Sequence, residues 1–62
     1  MRYRDFVSIL KDLGFTLIRS GKGSHEVWSN GQQNVAVTYP EMNRMVARRE
    51  LKKIGYSEYR RI

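Results

Sequence analysis

SHEVWSNGQQNVAVTYP, residues 24–40, decides the fold. At its centre stands Asn30-Gly31, a strong hairpin signal because a type I′ turn needs positive φ at both central positions. Beyond it Val35, Val37 and Tyr39 alternate with Asn34, Ala36 and Thr38, the period of a half-buried strand, until Pro40 removes the backbone donor. The stretch therefore predicts two antiparallel strands, Ser24 to Ser29 and Gln32 to Tyr39. With an even number of loop residues, as in a two-residue Asn30-Gly31 turn, Ser29 opposes Gln32, Trp28 opposes Gln33 and His25 opposes Ala36. Trp28 then shares a face with Val35 and Val37, while His25 lies on the opposite face, open to a substrate. This register puts Glu26 on the apolar side, tolerable only near a sheet edge. An odd loop would turn Val27 and His25 inward; the even register is the expectation.

Upstream, Phe15 to Arg19 is too short and too apolar for a helix after Gly14, so it reads as the first strand. Ser20-Gly21-Lys22-Gly23 then makes a mobile turn. Before it, Tyr3, Phe6, Ile9, Leu10 and Leu13 fall on one arc at about 100° per residue, predicting a helix from Tyr3 to Leu13 that Gly14 ends. Downstream, Ala47, Leu51 and Ile54 form a narrow apolar stripe on a helix from about Asn43 to Ile54, closed by Gly55. Met45 and Val46 fall off that stripe and are expected to be exposed. Ser57 to Ile62 suits a last short helical turn with Ser57 as its N-cap. The order is that of the double-stranded RNA-binding domain. The expected fold class is α+β, a small two-layer α-β-β-β-α domain spanning residues 1–62, with a three-stranded antiparallel sheet on two helices.

Composition narrows the function classes. A chain of 62 residues is near the lower limit for an unaided core, and with no cysteine it has neither a disulfide nor a Cys-based zinc site. One histidine leaves little for a metal site, and no metal or small-molecule cofactor is expected. No apolar run is long enough for a membrane span, and Arg2, Arg4 and Asp5 interrupt the N-terminus as a signal peptide, so a soluble, cytoplasmic protein is expected. Twelve Lys and Arg against six Asp and Glu give +6, which suits nucleic acid or an acidic protein surface. From Met42 onward the basic residues are Arg44, Arg48, Arg49, Lys52, Lys53, Arg60 and Arg61, against only Glu50 and Glu58. Arg44, Arg48, Arg49, Lys52 and Lys53 spread over the polar half of the second helix, either as a phosphate-binding footprint or as a solvated face.

Lys22-Gly23-Ser24-His25 holds the one histidine where a glycine-rich turn enters a strand. Histidine takes and gives a proton near neutrality without special help, so His25 is the candidate for chemistry. A lone histidine at a strand end is more often a surface or packing residue. Trp28 belongs to the core in this reading, with base stacking as the alternative. A phosphate-binding loop of the P-loop kind does not fit, because its spacing and following helix are both missing.

These residues together carry a resemblance. Arg4-Asp5 leads an apolar stripe, Gly14-Phe15 is followed by Arg19, and Lys22-Gly23-Ser24-His25 is followed by aromatic Trp28. A strand then ends Val35-x-Val37-x-x-Pro40, and a second helix closes on Gly55. The chain resembles the HicA family of small toxins, mRNA interferases of bacterial and archaeal toxin–antitoxin pairs with a double-stranded-RNA-binding-domain-like fold. The resemblance covers essentially the whole chain, and Gly23-Ser24-His25 is its most specific part. It implies an endoribonuclease acting on mRNA, with His25 as the catalytic residue and a HicB-like antitoxin as the protein partner that covers the site. His25 would act as general base on a ribose 2′-OH or as general acid on the leaving 5′-oxygen, without a metal. Lys22 would stabilise charge developing on the phosphate. Arg19, Ser24 and the second-helix residues Arg44, Arg48, Arg49, Lys52 and Lys53 would hold the RNA backbone rather than read bases.

Two positions depart from the family pattern. Many members carry a second histidine after the strand-ending proline, where this chain has Glu41-Met42, and a Gly-Thr-Leu segment opening the last helix, where it has Met45-Val46-Ala47. A non-catalytic RNA-binding module and a basic protein-interaction domain are the competing expectations.

Overall fold

The computed structural model describes residues 1–62 in the order expected. Helix α1 spans Tyr3–Asp12, strands β1, β2 and β3 span Thr16–Ser20, His25–Ser29 and Asn34–Thr38, and helix α2 spans Arg44–Lys53. A 3-10 turn, Tyr59–Arg61, follows. The three strands form one antiparallel sheet in sequence order, with β2 in the middle. Both helices lie on one face, where Phe6 and Leu10 of α1 meet Trp28, Val35 and Val37 of the sheet and Ala47 and Leu51 of α2. The result is the α+β sandwich that the period changes predict.

The helix stripes follow the sequence with additions. Phe6 and Leu10 are fully buried, Val7 is buried with them although it lies off the predicted arc, and Leu13 is half exposed as the cap. Gly14 takes φ +86°, which ends the helix. In α2, Asn43 is the N-cap, its Oδ1 accepting from Met45 N at 2.9 Å and Val46 N at 3.2 Å. Met45 is exposed as expected, but Val46 is half-buried and packs against the core. Ser57 does not cap the last turn; Glu58 precedes it without a side-chain cap, and Tyr56, Tyr59 and Ile62 hold the segment by packing on the core.

The sheet corrects the predicted register. Ser29 pairs with Asn34, Trp28 with Val35, and His25 with Thr38, so the hairpin loop is Asn30–Gln33 rather than Asn30-Gly31 alone. Asn30 Oδ1 accepts from the backbone N–H groups of Gln32 at 2.9 Å and Gln33 at 2.8 Å, and Ser29 Oγ accepts from Gly31 N at 3.0 Å. The asparagine side chain builds its own turn and draws Gln32 and Gln33 out of the strand. Because the loop stays even, the pairing slides by two residues and every side chain keeps its expected face.

Two further expectations change. Glu26 lies on the central strand, not near an edge. It is accommodated because its Oε1 accepts from Tyr3 Oη and Trp28 Nε1, each at 2.9 Å. The first strand starts at Thr16, since Phe15 turns into the core. A bulge between Leu17 and Arg19 then leaves Ile18 unpaired and more than half exposed.

Candidate active site

His25 opens β2 and is exposed on the sheet face turned away from the helices. Its backbone is held from both sides. Gly21 N donates to His25 O at 2.6 Å across the turn, and Tyr39 N donates to Ser24 O at 2.9 Å from the end of β3. Position 21 is crowded by the histidine's own backbone: a Cβ there would stand 3.2 Å from His25 O and 3.6 Å from His25 Cβ, a tight approach that glycine relieves. Gly23 has φ +71°, which brings the chain round from Lys22 into Ser24.

The fold gathers part of the predicted site and separates the rest. Lys22 and Ser24 are exposed in the turn that leads into His25, and Arg19 pairs with Val27, which shares His25's face of β2. These residues surround one end of the open sheet face. The cations of α2 lie on the other side of the sheet, in the helix layer. Arg48, Arg49 and Lys52 line a shallow groove with Met45, Tyr59 and Arg60. Arg44 Nε donates to Ile62 O at 3.1 Å, and Lys53 pairs with Glu50 at 3.2 Å. In the groove Lys52 Nζ and Arg60 Cζ lie 5.7 Å and 5.6 Å from the centre of the Tyr59 ring. The hydrogen bond from Arg60 pulls the Tyr59 phenol below its usual pKa, burial opposes it, and the nearby charges of Arg60, Lys52 and Arg48 add to the lowering.

Residues to which the sequence gives no site role also stand at His25's end of the sheet. Tyr39 follows Thr38, the partner of His25, and forms an edge-on pair with Tyr3 at 5.1 Å between ring centres. A two-residue loop would have set Tyr39 opposite Lys22; the four-residue loop moves it up beside Ser24. Arg2, Arg4, Pro40 and Glu41 complete a cleft around the two rings. No group of three or more His, Cys, Asp or Glu side chains is arranged to hold a metal ion.

The family model described as HicA toxin of bacterial toxin-antitoxin matches residues 3–56, from the first residue of α1 to just beyond α2. The chain belongs to the HicA toxin family. Neither a curated protein nor a solved structure matches it. The HicA match takes in the whole sheet and the turn that carries His25, and ends before the 3-10 turn at Tyr59. A HicA toxin belongs to a two-protein system, so an antitoxin partner in general comes with the family. No helix is long and apolar enough to cross a membrane.

Proposed function

We propose that this HicA-family chain is an endoribonuclease that cleaves mRNA in the cytoplasm, with His25 as its acid–base group. The observation that carries this reading is an exposed imidazole at the mouth of a turn whose main chain is pinned on both flanks. As general base, His25 takes the proton of a ribose 2′-OH. That oxygen attacks the adjacent phosphorus, and the P–O5′ bond breaks to leave a 2′,3′-cyclic phosphate. The departing 5′-oxygen takes a proton from water. As general acid, protonated His25 instead supplies that last proton, and water takes the proton of the 2′-OH. Either role contributes about 10²- to 10⁴-fold.

Lys22, Arg19 and Ser24 supply donors for the phosphate at the same end of the sheet. Arg44, Arg48, Arg49, Lys52 and Lys53 serve the reaction from a distance, by drawing the polyanion toward the domain and holding flanking backbone. A HicB-like antitoxin covering the His25 face would silence the enzyme without unfolding it.

The test is purified chain, free of any partner, incubated with labelled mRNA in EDTA beside His25→Ala, with folding checked by circular dichroism. Cleavage by the parent and a loss of at least about 10²-fold in the folded variant is the expected result. RNA bound but uncut by both would favour a non-catalytic RNA-binding module. Failure of both to bind RNA would favour a basic protein-interaction domain.

A further inference from the structure

The Tyr39 cleft is a built feature. It is tied to the residues that flank His25: the Tyr3 hydroxyl donates to Glu26 at 2.9 Å, and the main chain of Tyr39 donates through its N–H to Ser24 O at 2.9 Å. The chain on its other side is clamped as well, since Tyr3 N donates to Pro40 O at 3.0 Å and Met42 N to Met1 O at 2.7 Å. Tyr39 is nonetheless 58% exposed. A tyrosine left so open while its backbone and one edge are fixed has the form of a stacking platform. Beside it stand Arg2 and Arg4, both exposed. The chain's two ion pairs are the N-terminal ammonium with Glu41 and Lys53 with Glu50, so neither arginine is matched by a carboxylate. Glu41, the one acid in the cleft, is occupied by the ammonium at 3.3 Å.

An aromatic face beside unpaired guanidinium groups matches a nucleobase and its flanking phosphates. The α2 groove is less suited to a base, because its tyrosine is half-buried and already attended by Lys52 and Arg60. We propose that the Tyr3–Tyr39 cleft, on the helix side of the end of the sheet where His25 opens β2, is a subsite for single-stranded RNA, with a base stacked on Tyr39 and phosphates held by Arg2 and Arg4, the strand passing round that end to His25 on the opposite face. Its place in the reaction rests on the ribonuclease reading; its binding of RNA does not.

The probe is a fluorescein-labelled 2′-O-methyl hexaribonucleotide, which lacks the attacking hydroxyl and stays intact whatever the activity of the chain. Binding is measured by anisotropy across a salt series for the parent, Tyr39→Ala, Tyr39→Trp, and Arg2→Gln with Arg4→Gln, each checked by circular dichroism. Tyr39→Ala is expected to weaken binding about tenfold, with Tyr39→Trp restoring it. The arginine double variant should flatten the slope of log K against log salt by about 1.4, the share of two phosphate contacts to a single strand. Parental affinity in Tyr39→Ala, or an unchanged salt slope without the two arginines, would overturn the subsite. Probe binding through Tyr39 by a parent that leaves mRNA intact would sink the ribonuclease reading and keep the subsite. Cleaved mRNA together with parental affinity in Tyr39→Ala would do the reverse.

Discussion

Glu26 is a carboxylate on the core-facing side of the middle strand, and its two hydrogen bonds join α1 to the sheet through Tyr3 while fixing the indole of Trp28. Replacing it by alanine leaves a hydroxyl and an indole N–H without their acceptor, which costs about 1–3 kcal/mol. Glu26→Gln keeps an acceptor and should lose less, a difference that urea unfolding at neutral pH will read. The pair also sets a pH limit. Burial first, then the hydrogen bond and charge of Glu26, raise the Tyr3 phenol above its ordinary value of 10.0. A raised acid is held neutral in the fold, so its contribution is complete below the unfolded value and is lost as pH rises through the folded one. Stability measured in a Tyr59→Phe background should therefore fall above about pH 10. Glu26→Gln should soften that fall without abolishing it, because burial remains.

At the scale of the element, the turn before β2 and the loop after it matter more than the strands they join. Gly21→Ala would push a methyl to 3.2 Å from His25 O, and the backbone must shift where the imidazole is anchored. The expected outcome is a loss of RNA cleavage of roughly 10- to 100-fold, from misplacement alone, with far-UV circular dichroism unchanged. Parental cleavage in that variant would show that His25 needs no such anchoring.

The helices were legible in the sequence because their apolar stripes repeat over three turns, and His25 stood out as the one histidine. The loop was less legible. Asn30-Gly31 reads as a two-residue turn by its backbone preference, and only the reach of the Asn30 side chain to two further N–H groups makes it four. The face of each residue survived that slide because the strand period is two, but the neighbours did not, which hid Tyr39. Met42 was illegible for another reason. It is buried at 3% exposure in a non-periodic segment, with its sulfur 3.2 Å from Thr38 N, and no pattern announces such a residue.

On the scale of the whole molecule, a domain of 62 residues has about 3–9 kcal/mol of stability to lose. Leu51 is fully buried between α2 and the sheet, and Leu51→Ala costs about 2–5 kcal/mol. That variant should be largely unfolded near body temperature by thermal circular dichroism, whereas Met45→Ala, on the exposed face of the same helix, should melt close to the parent. The charge distribution has a different reach. Its cations stand on both sides of the sheet, so the field draws an anion from many directions, whereas the proposed site stands at one end.

The order of the elements along the chain has a consequence for synthesis. Phe6, Leu10, Trp28, Val35 and Val37 are all made before Ala47 and Leu51, the residues of α2 that close over them. A nascent chain that stops short of α2 lacks that cover and cannot hold its sheet in place. A chain proposed to cut mRNA would on that account gain its folded site only after α2 has left the ribosome.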